Sequence, residues 1–185
     1  MSNRYTPPNV SPWTVPASRK NAQRRKRVWQ RLAAPPGTVV IFTDGACLHT
    51  GGPAALGVAI DGLFECGEFL SNSATNNLAE LAAILRALQL APHEKRRTII
   101  YSDSMYAIGV LSLGWKAKVH VPLIRYIQRE MSAFADLSLA HIPGHSGYAG
   151  NELADRLAGI AMRSRFPVSP LAELHLGEIE PFSTR

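Results

Sequence analysis

The chain has 185 residues, 46% of them apolar, and twenty Lys/Arg against fourteen Asp/Glu give a net charge of +6. That size and composition suit one globular domain with an appendage and exclude a chain too polar to build a core. Two cysteines, Cys47 and Cys66, exclude a disulfide framework and a zinc-binding spacing, so a reducing intracellular setting is expected; no apolar run reaches membrane-span length and no secretory segment precedes residue 38.

The charge is unevenly placed. No acid precedes Asp44, and residues 1–37 carry eight Lys/Arg: Arg4, Arg19, Lys20, Arg24, Arg25, Lys26, Arg27 and Arg31. The remaining twelve Lys/Arg against fourteen acids leave the rest of the chain at −2. Residues 1–18, rich in Pro, Ser and Thr, are expected to be disordered or extended. Residues 18–34 can form a short Arg-rich helix, and Pro35-Pro36-Gly37 closes it off. The expected division is a basic arm over 1–37, a domain over 38–165 and a weakly ordered tail over 166–185.

TVVIFTD (38–44) reads as a buried strand of β-branched and aromatic residues ending in an acid. ALGVAI and LFECGEFL read as strands joined across Asp61-Gly62, a hairpin signal. Thr75 or Asn76 can cap a helix whose apolar stripe is Leu78, Leu81, Leu85 and Leu88, and Pro92 ends it. RTIIYSD (97–103) is the next strand, again ending in an acid. A short helix follows from Ser104 to about 113, and Pro122 suits the first position of another that runs to about 135. LSLAHI (137–142) is a fifth strand. The loop PGHSGYAG leads to a last helix over about 152–163. The order β-β-β-α-β-α-α-β-α predicts a five-stranded mixed sheet, antiparallel first and then parallel, flanked by helices.

Four acids occupy awkward places. Asp44 and Asp103 end apolar strands, and neighbouring strands that end on one edge of an α/β sheet bring such residues together. Glu80 lies beside the buried helix stripe, and Asp155 lies beside Leu153 and Ala154. Taken singly, an Asp is a common turn starter, a Glu in a first helical turn complements the helix dipole, and Asp155 could belong to a surface ion pair. Taken together, crowded acids call for a cation to offset their repulsion, which points to a divalent-metal site for cutting phosphodiesters. His145, between Gly144 and Gly147, sits on a loop suited to proton shuttling near such a site. The other five histidines are read as solvated.

FTDGAC, TNNLAEL, YSDSMYAI and HIPGHSGYAGNELADRLA resemble, in order and spacing, the motifs of the type I ribonuclease H family, cellular and retrotransposon-borne. The resemblance spans about residues 38–163, and GHSG followed by GNELAD is its most specific segment. It implies a ribonuclease H-like fold and endonucleolytic cleavage of the RNA strand of RNA–DNA hybrids, leaving 5′-phosphate and 3′-hydroxyl ends. It makes Asp44, Glu80, Asp103 and Asp155 ligands of two Mg2+ ions, with Mn2+ able to substitute, and His145 the loop histidine that assists turnover. The donor chemistry agrees, because carboxylates suit hard cations. The family places hybrid minor-groove contacts at Asn76 and Asn77. Thr75, at the same helix start, is suited to the backbone, and Cys47 and Ser104 match weaker contact positions.

The chain departs from the family in two places. Thr50 stands where many members have an asparagine. The basic, Trp-rich handle that full-length members carry between Asp103 and Pro122 is reduced to Trp115, Lys116 and Lys118. The basic arm can supply the missing phosphate contacts; its competing roles are a nuclear-import cluster at Arg24–Arg27 or an organelle transit segment. The expected protein is a monomeric intracellular hydrolase, nuclear or mitochondrial, whose partner is an RNA–DNA hybrid and not a membrane. A 3′–5′ exonuclease is set aside, because Asp44 is followed by Gly45-Ala46 and not by a second acid. The competing class is a non-catalytic nucleic-acid-binding or assembly protein that keeps the fold, and a fragment of a retroelement polyprotein is a third origin.

Overall fold

A computed structural model describes residues 34–61, 63–92 and 95–165. The expected arm helix and the expected tail lie outside these residues. Strands β1 (Val39–Cys47), β2 (Gly52–Ile60) and β3 (Phe64–Ala74) precede helix α1 (Asn76–Leu90). Strand β4 (Thr98–Ser102), helices α2 (Met105–Ser112) and α3 (Val121–Met131), strand β5 (Leu137–His141) and helix α4 (Ala149–Ser164) complete the order. The sheet runs β3-β2-β1-β4-β5, antiparallel from β3 to β1 and parallel from β1 to β5. Order and pairing are those expected from the sequence.

The side-chain period of two along β1 sends Ile41 to one face and Phe42 to the other. The Ile41 face carries the main core, where Leu56, Val58 and Ile100 meet Leu81, Ile84, Leu85 and Leu88 of α1 and Leu123 and Ile127 of α3. The Phe42 face is covered by α4, with Ala59, Ile142 and Ala154 buried there and the Tyr101 ring stacked on Phe42 at 5.4 Å. Helix α4 lies very close to the sheet: a β-carbon on Gly57 of β2 would meet the Ala154 carbonyl oxygen at 2.0 Å. Only a glycine permits that approach.

The boundaries differ from expectation at the functional end. Strand β1 does not stop at Asp44 but continues to Cys47, because Asp44 through Cys47 pair with Gly57 back to Ala54 on β2. Asp44 therefore sits inside the β1–β2 ladder, one residue beyond the last pair of β1 with β4. Helix α4 begins at Ala149, three residues earlier than expected, and α3 begins at Val121 and ends at Met131, with Pro122 inside its first turn. Among the described residues, Leu113–His120 link α2 to α3 without a helix.

Candidate active site

Parallel pairing of β1 with β4 puts Thr43 opposite Ser102. The next residues, Asp44 and Asp103, therefore lie side by side just past the end of the β1–β4 pairing. Helix α1 brings the third acid. Thr75 caps it, its Oγ1 accepting from the Leu78 N–H at 3.2 Å, and Glu80 follows one turn later. The helix can reach β1 because Gly45 has no side chain: a β-carbon there would meet the Glu80 nitrogen at 2.4 Å. Carboxylate oxygens of Asp44, Glu80 and Asp103 lie within 4.8 Å of one another.

This cluster is buried and mutually repulsive. Asp44 is 8% and Glu80 4% exposed. Burial, then the charges of Asp103 and Asp155, push the Asp44 carboxyl up to about 8. Burial, then Asp44 and Asp103, hold Glu80 well above the ordinary carboxylate range, against hydrogen bonds from the Gly45 backbone and the Asn76 side chain. Asp103 is raised too, chiefly by burial. Asn76 Nδ2 donates to Glu80 Oε1 at 3.4 Å, whereas Glu80 Oε2 is buried with no hydrogen-bond partner among the described residues. A buried, unsatisfied carboxylate oxygen inside an all-carboxylate cluster suits a hard divalent cation, which would satisfy the oxygen and cancel the repulsion.

Asp155 comes from α4 on the other face and reaches the site's edge. It is felt electrostatically by both Asp44 and Asp103. His145 Nδ1 stands 3.7 Å from Asp155 Oδ2, and the imidazole is largely exposed. His145, Asp155 and Glu152 form a second group of ligand atoms within 4.8 Å. Thus Asp44, Glu80 and Asp103 form one cluster, and Asp155 and His145 a second beside it.

The remaining expected residues are placed less uniformly. Asn76 and Asn77 are exposed at the start of α1. Ser104 caps α2, its Oγ accepting from the Ala107 N–H at 3.2 Å. Cys47 is half-buried at the end of β1, its Sγ donating to the His49 carbonyl at 3.0 Å. One expectation fails: His120 is not a solvated histidine. It is half-buried, with Nε2 3.4 Å from Thr75 Oγ1, because the short α2–α3 link folds back on the start of α1. Trp115 in the same link lies over Gly109 of α2, where a β-carbon would meet its ring at 2.2 Å. Sequence reasoning also passed over Gly45 and Glu152. For Glu152 the three-residue spacing from Asp155 was the available signal.

The family model for RNase H matches residues 36–163. This chain belongs to the ribonuclease H family. It is 33% identical to the human protein named Ribonuclease H1 over 138 residues, covering 65% of this chain and 48% of that protein. It is 34% identical to Ribonuclease H of Nitrosomonas eutropha over 149 residues, covering 68% of this chain and 90% of that protein. The chain thus spans about half the length of its mammalian relatives and nine-tenths of the bacterial one. Among solved structures, the RNase H1 of the halophilic archaeon Halobacterium salinarum NRC-1 superposes with a TM-score of 0.58 at 31% identity, over 69% of this chain and 99% of that one. The ribonuclease H fold expected from the motifs is therefore the fold observed. Among the described residues no helix is long and apolar enough to cross a membrane.

Proposed function

We propose that this ribonuclease H-family chain is a metal-dependent endoribonuclease that hydrolyses the RNA strand of RNA–DNA hybrids, leaving 5′-phosphate and 3′-hydroxyl ends. The observation that carries the reading is the buried Asp44–Glu80–Asp103 cluster with its unpartnered Glu80 Oε2. In this reading Asp44, Glu80, Asp103 and Asp155 hold two Mg2+ ions. Bound there, the ions supply Lewis acidity toward the attacking and the leaving oxygens.

The chain's own residues do the rest. The β1 ladder and the close α1–β1 approach fix Asp44 and Glu80, so little reorganisation is needed during reaction. The Asn76 amide orients one Glu80 oxygen and leaves the other without a hydrogen bond among the described residues. His145, exposed on its loop beside Asp155, accepts and returns a proton as product leaves. Asn76, Asn77 and the first N–H groups of α1 face the hybrid, where 2′-hydroxyls on one strand and deoxyribose on the other distinguish it from either pure duplex. Thr75, Cys47 and Ser104 border that surface. The enzyme acts as a monomer, and the basic arm adds phosphate contacts outside the described residues.

The test is cleavage of an end-labelled hybrid in Mg2+, with single-stranded RNA, duplex RNA and duplex DNA alongside, for wild type and Asp44→Asn. Cutting confined to the RNA strand of the hybrid and abolished by the substitution is expected. Hybrid binding without cutting in Mg2+ or Mn2+ would replace this reading with a binding module that kept the fold.

A further inference from the structure

The loop joining β5 to α4 holds His145 at φ 52 and Gly147 at φ 89. The left-handed backbone costs histidine less than most non-glycine residues but is still uncommon, which makes the contacts that hold this loop worth tracing. Ser146 Oγ donates to the Pro143 carbonyl, but that bond is internal to the loop and does not fix it against the domain. A second bond does. Gly147 N–H donates to Glu152 Oε1 at 3.2 Å. Tyr148, the cap residue of α4, makes no side-chain cap bond, and Glu152 reaches back past it to satisfy a donor ahead of the helix. Glu152 lies one turn before Asp155, and its carboxylate stands within 4.8 Å of the ligand atoms of both His145 and Asp155.

We propose that Glu152 is a positioning residue for His145. By accepting from Gly147 N–H it clamps the loop to the helical turn that carries Asp155, and so keeps the imidazole at the edge of the acid cluster. The proposal rests on the hybrid-cleavage reading and deepens it. Only an acceptor oxygen is required of residue 152, not its charge, and protection of the Gly147 amide in EDTA separates the role from metal ligation.

The test compares Glu152→Ala, Glu152→Gln, His145→Ala and the double variant His145→Ala/Glu152→Ala. One readout is steady-state cleavage of a labelled hybrid in Mg2+; the other is amide hydrogen exchange at Gly147 followed by NMR. Glu152→Ala is expected to lower kcat about three- to tenfold with KM unchanged and to speed exchange at Gly147, the scale of one missing hydrogen bond. Glu152→Gln recovers most of both effects. The double variant is no slower than His145→Ala alone, since both changes remove the same contribution. Three results overturn the proposal: Glu152→Gln as impaired as Glu152→Ala, effects that multiply in the double variant, or unchanged Gly147 exchange in Glu152→Ala. Exchange needs no turnover. A wild-type protein that fails to cut hybrids therefore refutes the proposed function, and the catalytic half of this proposal with it, while exchange still decides the clamp.

Discussion

Replacing Asp44 with asparagine should stabilise the metal-free protein, and the pH dependence of the gain is fixed by the site's electrostatics. In the fold, burial and the neighbouring acids hold the Asp44 carboxyl at about 8, against 3.8 when unperturbed. Between those values the unfolded chain has released a proton that the folded protein still holds. Metal-free stability therefore falls as pH rises from 4 to 8, by up to about 1.4 kcal/mol per unit for one proton. At pH 7.5 the summed cost reaches about 5 kcal/mol, which relaxation and water entry around the carboxylate reduce to about 2 kcal/mol. Asparagine keeps the shape and removes the charge. In EDTA at pH 7.5, Asp44→Asn should melt about 8 °C above wild type. At pH 4.5 the gap should nearly close, because the unfolded wild type also begins to hold its proton. Added Mg2+ should close it as well at pH 7.5, since wild type gains more from binding. Thermal melts by circular dichroism read all three conditions. An Asp44→Asn protein no more stable than wild type in EDTA at pH 7.5, or a gap indifferent to pH, would refute the account of a strained, cation-seeking cluster.

Gly45→Ala should cost about 1–3 kcal/mol and most of the cleavage activity, because its β-carbon collides with the α1 backbone at Glu80; wild-type turnover would show that α1 can yield. The buried pair of Arg86 and Glu68, 2.7 Å apart between α1 and β3, should make Glu68→Ala expensive, about 3–5 kcal/mol in urea unfolding. Glu68→Met with Arg86→Leu should cost less than Glu68→Ala alone, and the opposite order would show that the charge pair itself stabilises the fold. Deleting residues 1–33 should weaken hybrid binding and flatten its salt dependence by about 0.7–0.9 for each phosphate that the arm neutralises; an unchanged slope would remove the arm from the interface.

The element order was legible because each element announces itself locally. The β-branched runs of β1 and β4, the Asp61-Gly62 turn and the leucine stripe of α1 each need only neighbouring residues to be read. The acids were legible as a set for a different reason: Asp44 and Asp103 close apolar runs, where a charge is hard to explain by burial alone. What escaped the sequence depends on contact between distant segments. Continuation of β1 past Asp44 is decided by its pairing with β2, not by its own composition. Burial of His120 depends on the α2–α3 link folding against Thr75, forty-five residues away in sequence. Nothing in the local sequence marks Gly45 as special, and only the passage of α1 across it shows that the missing side chain is a clearance.

The glycine-permitted contact between α4 and the sheet also bears on how the site is completed. Asp155 and His145 both lie at the end of the fold, on the last helix and the loop before it. A chain that has formed β1 to β5 but not docked α4 has assembled the buried acid trio and nothing of its second half. The Phe42 face of the sheet is then bare, and the acids do not yet feel the further negative charge of Asp155. Docking α4 covers that face and delivers Asp155 in the same event. Under the proposed function, covering the Phe42 face and completing the set of four carboxylates are therefore a single packing event.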